Sequence, residues 1–214
     1  TFEDTRWAHV DDFVAVYQDT MARCGSRPEY VVDREYGGFH CTVKPSGELI
    51  STEKTAWYEG RGTWVFSFLY NHFGREKRWL DIAAGSVRLI ARCRPKGADE
   101  AWPRAIARDG TPAGPPDPEV YSDLFIAEGL AEFAKASGER RYWDEAKGIV
   151  LKSVRRYDRA DYHPAIGRTY LGPEAAPFAG ARVLGVWMVL LRATTQMLAM
   201  RADAELQAVN DRCV

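Results

Sequence analysis

The sequence lacks the features that mark metal-binding, nucleic-acid-binding and membrane proteins. Its four cysteines, Cys24, Cys41, Cys93 and Cys213, stand far apart and form none of the short spacings of zinc or redox sites. The 29 basic and 30 acidic residues leave a net charge of -1, which offers no electrostatic footprint for nucleic acid. The sequence also contains no Gly-rich phosphate loop, metal-ligand cluster or nucleophile elbow. We therefore expect no bound metal, no obligatory cofactor and no nucleic-acid partner.

Long hydrophobic runs are also missing. The longest, at residues 183–191, is interrupted by Gly185 and is more typical of a buried core helix than of a membrane span. No signal-peptide pattern follows Thr1. Because widely spaced cysteines favour reduced thiols, we expect a cytoplasmic protein with no membrane partner.

Apolar material, in contrast, is abundant. The 214 residues are 46% hydrophobic and 12% aromatic, which is enough for one globular domain over residues 1–214. Residues 6–24 have the period of an amphipathic helix, and residues 38–51 resemble a short β-hairpin with its turn at Pro45 and Gly47. From residue 54 onward the period is helical almost throughout, so the fold class is predicted to be all-α with one small hairpin.

The helical part contains a repeat. Gly74 and Trp79 recur as Gly138 and Trp143, with an offset of 64 residues. Each copy has an apolar helix (54–73 and 120–137), a glycine that ends it, and a more charged amphipathic helix (76–94 and 140–158). A third apolar helix at 183–200 precedes a polar helix start at Asp203. Apolar inner helices alternating with half-wet outer helices predict an α/α toroid or solenoid.

Three features of this array stay open. Residues 95–118 and 161–180 are rich in Gly and Pro and are either rims of a site or simple linkers. The third hairpin is incomplete at Val214. Either the native chain continues, which we expect, or the hairpins form an open array whose end is covered by another subunit.

The segment 54–70 holds one arginine, Arg61, among six aromatic residues. Apolar residues run almost all the way round it at helical spacing, so we expect a helix that is buried on most of its surface. A buried guanidinium is costly unless a carboxylate or polar ligand meets it. One explanation is a structural ion pair with a carboxylate such as Glu59. The other is a sugar-sized pocket with tryptophan walls, in which Arg61 points at substrate oxygens.

Several motifs occur in a defined order along the chain. They are Asp33-Arg-Glu-Tyr-Gly-Gly-Phe39, the segment 54–70 with Arg61, Trp79-Leu80, Val120-Tyr121-Ser-Asp-Leu-Phe125, and the run from Val186 to Leu191. Together they resemble the amino-terminal half of the N-acylglucosamine 2-epimerase family, which also contains cellobiose 2-epimerases and aldose–ketose isomerases. The resemblance implies helical hairpins of an (α/α)6 barrel, of which this chain would form about half.

The resemblance also implies site residues. Arg61 matches the family's active-site arginine, and Tyr121 matches a sugar-contacting tyrosine. Trp57, Trp64 and Tyr36 are further substrate-binding candidates that packing explains equally well. Cellobiose epimerases place a histidine and an asparagine where this chain has Met188 and Leu184, so the apolar residues here point to the N-acylglucosamine epimerase branch. A small-molecule sugar is the implied partner, and a homodimer is compatible with it.

The implied reaction removes a proton next to an open-chain sugar carbonyl and returns it to give a 2-epimer or a ketose. It needs an acid, a base and a group that holds the enediolate oxygen, a role that suits Arg61. None of the four histidines is a persuasive base. His9 lies on the amino-terminal amphipathic helix, His40 in the hairpin, His72 near a helix end and His163 in a loop. The alternatives are a glycoside hydrolase on an (α/α)6 barrel, with Asp33 or Asp123 as general acid, and a non-catalytic binding module.

Overall fold

The computed structural model of the protein describes residues 31–44, 46–164 and 178–214. The helix predicted at 6–24 and most of the loop predicted at 161–180 lie outside the described residues. The assignment of residues 1–214 to a single domain stays a prediction. Within the described ranges, no helix combines the length and hydrophobicity that a bilayer crossing requires.

The described helices form three consecutive pairs, as the periodicity predicted. They are α1 (Ala56–His72), α2 (Lys77–Arg92), α3 (Tyr121–Ser137), α4 (Arg140–Tyr157), α5 (Leu184–Met200) and α6 (Ala204–Asp211). Helices α1, α3 and α5 form an inner row, with α3 packed against both of its neighbours. Each inner helix packs against the outer helix that follows it. Because it has neighbours on several sides, α3 is buried along almost its whole length.

The repeated glycines act as helix ends. Gly74 and Gly138 have φ of 97° and 75°, the left-handed conformation that glycine adopts without steric cost. The tryptophan that follows each glycine, Trp79 or Trp143, is buried in the same hydrophobic core. The repeat with a 64-residue offset therefore encodes two equivalent helical hairpins, as predicted.

Helices α1 and α3 approach each other closely at two glycines. A Cβ atom on Gly60 would lie 2.5 Å from the backbone nitrogen of Ile126, and one on Gly129 would lie 2.5 Å from the carbonyl oxygen of Gly60. Both obstacles are backbone atoms, which a side-chain rotation cannot move away. Glycine at these positions therefore sets the separation of the first two inner helices, and with it the spacing of the side chains that α1 and α3 direct to their shared face.

We expect Gly60→Ala to lower the free energy of unfolding by about 1–3 kcal/mol, because the added methyl group forces the two helices apart. Gly148→Ala in α4 is the matched control, since nothing lies within 4 Å of its Cβ position. That change should stabilise the helix by about 0.5–1 kcal/mol. Urea denaturation of both variants measures the difference. Equal effects at the two positions would contradict the close approach.

The described residues also form two short antiparallel strand pairs. Strands β1 (Thr42–Val43) and β2 (Leu49–Ser51) form the hairpin predicted near residues 38–51. Strand β3 (Lys54–Thr55) pairs with β4 (Ala105–Ile106), which lies inside the segment 95–118. Residues 54 and 55 were expected to be helical, but the Thr55 side chain accepts a hydrogen bond from the backbone N–H of Tyr58 and caps α1. The helix therefore begins at Ala56.

The segment 95–118 is more than a simple linker. Trp102 and Ile106 are buried in the core, and the Trp102 indole donates a hydrogen bond to the carbonyl oxygen of Ile90. The pairing of β4 with β3 ties the middle of this segment to the start of α1. The segment thus fixes the amino-terminal ends of inner helices α1 and α3 relative to each other.

Candidate functional site

The inner helices share one exposed face that carries large side chains, here called the concave face. Tyr58, Arg61 and Val65 on α1 are exposed, as are Leu184 and Met188 on α5. Most residues of α1 are buried or half-buried, as expected, and Tyr58, Arg61 and Val65 form one exposed stripe along the helix. Apolar residues surround α1 because one side packs against α2 and α3 while another faces an open concavity.

Arg61 is exposed on the concave face and makes no ion pair or hydrogen bond with a carboxylate among the described residues; Glu128 interacts with its charge only at longer range. Its guanidinium carbon lies 5.3 Å from the centre of the Phe125 ring on α3, within the range of a cation–π contact. Glu59 is not its partner, because that carboxylate binds the backbone N–H of Phe39 and the hydroxyl of Ser86. The structural ion pair considered from the sequence is thus absent, and the hydrogen-bonding edge of Arg61 is open to a ligand.

An aromatic wall stands beside Arg61. Trp57 stacks against Phe125 and Tyr121, with ring centres 4.7 Å and 5.5 Å apart. The Tyr121 hydroxyl lies against α5 at Gly185, where a Cβ atom would be only 2.5 Å away. Burial raises the pKa of Tyr121, so the phenol stays a neutral hydrogen-bonding group. The structure therefore brings together three of the five predicted site residues, Arg61, Tyr121 and Trp57.

Trp64 lies farther along α1 and lines a cavity of about 510 Å³ between α1, α3 and α5. Its ring stacks against Phe68, and its indole N–H donates to Gln196 Oε1 at 3.1 Å. Gln196 in turn donates to Glu132 at 2.9 Å, so a polar chain fixes the tryptophan. The cavity is lined by Trp64, Phe68, Glu132, Met188, Leu191, Arg192, Thr195 and Gln196.

Tyr36 occupies a different place. It lines a separate cavity of about 480 Å³ between the loop at residues 32–38 and helix α2, together with Arg78 and Arg88. The Arg108 guanidinium stands over its ring at 5.2 Å, and Arg92 donates a hydrogen bond to its carbonyl oxygen. The structure does not bring Tyr36 to the concave face with Arg61.

Sequence reasoning missed an ion pair at the centre of the concave face. Glu128 on α3 accepts two hydrogen bonds from Arg192 on α5, one of them from Nε at 2.7 Å. Burial raises the pKa of Glu128, while Arg192 and Arg61 oppose the rise. The sequence did carry a signal, because Arg192 is the sole ionisable residue of Leu184–Met200. A single charge in an apolar inner helix indicates a partner or a ligand, as it did for Arg61.

The two aspartates considered as hydrolase acids both pair with basic side chains. Asp33 pairs with Lys54 at 3.1 Å and with Arg108 at 2.9 Å. Burial alone would raise its pKa, but the hydrogen bonds from Arg108, Tyr36 and Lys54 hold the pKa well below its ordinary value. Asp123 is fully buried and pairs with Lys152 at 2.8 Å. A general acid needs a raised pKa and access to substrate. The pKa of Asp33 is lowered, and Asp123 is buried away from substrate, so neither residue suits the hydrolase alternative.

The described histidines have their contacts away from Arg61. His40 lies 3.9 Å from Asp33, and burial lowers its pKa. His72 lies at the end of α1, beside Phe68 and 3.9 Å from Glu132. His163 lines a separate cleft with Arg159, and His9 lies outside the described residues. Among the described side chains, no cluster of three His, Cys, Asp or Glu residues could hold a metal ion.

Glu59 lies behind the site, about 200° round α1 from Arg61. Its Oε1 accepts a hydrogen bond from the Phe39 N–H at 2.8 Å, and its Oε2 lies 2.5 Å from the Ser86 hydroxyl. Burial raises the pKa of this carboxyl to about 7, although both hydrogen bonds oppose the rise. Between about pH 4.5 and pH 7, the native protein therefore keeps a proton on Glu59 that the unfolded chain has released.

We expect this proton to make stability depend on pH. The contribution is fully present below pH 4.5, the ordinary pKa of the carboxyl, and is lost as pH rises through about 7. The loss amounts to roughly 3 kcal/mol. Glu59→Gln keeps the shape and the hydrogen-bonding groups but cannot titrate. Urea unfolding measures the free energy of unfolding of both proteins between these pH values. As pH rises, the wild type should lose stability relative to the variant, and a difference that stays constant with pH would contradict the raised pKa.

Comparisons with known proteins show which family the chain resembles. The sequence profile of a family described as N-acylglucosamine 2-epimerase (GlcNAc 2-epimerase) matches residues 37–204. The N-acylglucosamine 2-epimerase of Mus musculus is 34% identical over 175 residues, which cover 79% of this chain and 39% of that protein. The N-acylglucosamine 2-epimerase of Homo sapiens is 32% identical, covering 83% of this chain and 40% of that protein. This chain thus spans about two fifths of the length of these curated relatives.

A solved structure supports the fold. The cellobiose 2-epimerase from Spirochaeta thermophila matches with a TM-score of 0.75 and 16% identity, over 96% of this chain and 54% of that chain. At this identity the match shows the architecture alone. The predicted fold class, helical hairpins of part of an (α/α)6 barrel, is confirmed.

Proposed function

This chain belongs to the N-acylglucosamine 2-epimerase family, and we propose that it forms the Arg61-bearing part of a sugar epimerase or aldose–ketose isomerase. The observation that carries the proposal is the position of Arg61, on the concave face, stacked on Phe125 and without a carboxylate partner among the described residues. A permanently charged group kept free in such a place is suited to an anionic ligand or transition state.

In this reaction a base removes the proton at the carbon next to the open-chain carbonyl, and the electron pair moves to the carbonyl oxygen. The resulting enediolate carries negative charge on that oxygen. Arg61 donates hydrogen bonds to it, and its contact with Phe125 limits the rotation of the guanidinium. Return of a proton to the opposite face of the same carbon gives the 2-epimer, and return to the neighbouring carbon gives the ketose.

Trp57, Tyr121 and Trp64 are proposed to hold the sugar. Sugar sites combine apolar walls with a few placed polar groups, and here Trp57 forms the wall next to Arg61 while the Tyr121 hydroxyl supplies a polar group. Trp64 forms the floor of the larger cavity. Tyr36 has no part in this arrangement.

The acid and the base are proposed to come from outside the described residues. The described histidines make their contacts with Asp33, Phe68 and residues of a separate cleft. Since this chain spans about two fifths of its curated relatives, we propose that the natural gene product supplies these groups from a further part of its chain. A cytoplasmic location and a homodimer stay predictions.

Deuterium exchange tests the proposal. The natural gene product, expressed at its full length, is incubated in D2O with N-acetylmannosamine, mannose or cellobiose, and proton NMR follows C2. Loss of the C2 proton signal, with appearance of an epimer or ketose, is the expected result. Release of a new reducing end would favour the hydrolase, and binding without exchange would favour a non-catalytic module; either outcome contradicts the proposal. Heat-denatured protein is the control.

A further inference from the structure

Arg192 is the second guanidinium of the concave face. Its guanidinium carbon lies 5.5 Å from the centre of the Phe125 ring, and that of Arg61 lies 5.3 Å from the same ring. The two cations, one from α1 and one from α5, therefore share one aromatic contact on α3. The Arg192 side chain is nevertheless 59% exposed, so its position results from its partners and not from close packing.

Glu128 determines how Arg192 is oriented. The Glu128 side chain is only 2% exposed and binds Nε and Nη2 of Arg192 through both carboxylate oxygens. A two-bond contact of this kind fixes the plane of the guanidinium. The Nη1 group is left without a hydrogen-bond partner among the described residues, and Arg192 lines the 510 Å³ cavity together with Met188 and Leu191. A fixed donor thus stands at the edge of an apolar space.

The charges decide what kind of group this donor suits. Glu128 neutralises Arg192 locally, so the pair has no net charge to attract an anion. A neutral acceptor such as a carbonyl oxygen fits a charge-assisted donor of this kind. The charge of Arg61 stays available for the enediolate, so the two arginines can act on different parts of one sugar.

We propose that Arg192, positioned by Glu128, is a specificity-determining residue that hydrogen-bonds the carbonyl oxygen of a neutral acylamino substituent on the reacting carbon. The apolar end of that substituent would contact Met188, Leu191 and Trp64, which line the same cavity. This inference rests on the proposed sugar site. It adds two residues, on α3 and α5, for which the motifs gave no role.

The test compares two sugars that differ in this substituent, N-acetylmannosamine and mannose, in the natural gene product and its Arg192→Gln variant. We expect the ratio of kcat/KM for the two sugars to fall about 10- to 100-fold, the worth of one hydrogen bond to a charged group. The change should appear as a raised KM for N-acetylmannosamine, with the parameters for mannose retained. Glu128→Gln should lower the same ratio, since Arg192 loses its fixed orientation.

Arg201→Gln is the matched control, because Arg201 ends the same helix and stands over Trp143, away from the cavity. The ratio of kcat/KM for the two sugars in Arg201→Gln should equal that of the wild type. An unchanged ratio in Arg192→Gln, or an equal loss for both sugars, would overturn the inference.

Binding measured by ligand-observed NMR separates this inference from the proposed function. If the wild type exchanges none of N-acetylmannosamine, mannose and cellobiose, the proposed function fails, but the ratio of the Kd values for N-acetylmannosamine and mannose still tests the role of Arg192. A preference for N-acetylmannosamine that disappears in Arg192→Gln supports the inference. No preference in the wild type, or a preference that persists in the variant, contradicts it.

Discussion

Replacing Arg61 by glutamine is expected to slow C2 proton exchange by about 10²–10³-fold, the usual effect of removing one donor to a developing oxyanion. Glutamine keeps a hydrogen-bond donor, but its side chain is shorter and carries no charge. Because the charge of the oxygen develops on the way to the enediolate, kcat and kcat/KM should fall by similar factors. Exchange kinetics in D2O with the natural gene product measure both constants.

The matched control for Arg61 is Arg155→Gln. Arg155 lies on outer helix α4 and pairs with Asp99 at the surface, so its loss should leave exchange unchanged. A thermal unfolding curve that matches the wild type shows that Arg61→Gln is folded. A variant of Arg61 that raises KM and keeps kcat would contradict the role assigned to the guanidinium, since it would show binding of the ground state only.

Removal of Asp33 has the largest expected effect on stability. Asp33→Ala leaves the Lys54 ammonium, which is fully buried, without its carboxylate, and it removes the anchor of Arg108. We expect a loss of about 3–5 kcal/mol, the usual cost of an uncompensated buried charge. Since whole domains are stable by only about 5–15 kcal/mol, such a loss lowers the unfolding temperature markedly.

Urea denaturation compares this variant with Glu48→Ala. Glu48 pairs with Lys44 in an exposed i,i+4 contact, and its loss should cost under about 1 kcal/mol. Similar losses for the two variants would show that the Asp33 cluster contributes no more than a surface pair. A large loss for Asp33→Ala alone supports its role in holding the loop at residues 32–38 against the barrel.

The sequence predicted the helical hairpins because their signals are local. The 3.6-residue period, and the repeated glycine and tryptophan, do not depend on the rest of the chain. The pairing of β3 with β4 could not be read in this way, since each strand has two residues and they stand about fifty residues apart in the chain. Burial of Trp102 and Ile106 inside a Gly- and Pro-rich segment likewise depends on tertiary contacts.

The site was predictable where a residue was unusual for its surroundings. Arg61 was found because it interrupts an aromatic helix, and Arg192 could have been found by the same reasoning. The exposed stripe of α1 could not be told from its buried sides in the sequence, because an apolar lining of a cavity and an apolar core give the same pattern. Tyr36 belongs to a motif whose buried Asp33 binds Lys54 and Arg108, which places the tyrosine beside α2.

The most direct test is a crystal structure of the natural gene product with the open-chain alditol of N-acetylmannosamine, which cannot lose the reacting proton. We predict the alditol on the concave face, with its C1 hydroxyl oxygen about 3 Å from the Arg61 guanidinium. An alditol bound in the cavity of Tyr36 and Arg88, or an Arg61 that pairs with a carboxylate while the sugar lies elsewhere, would contradict it.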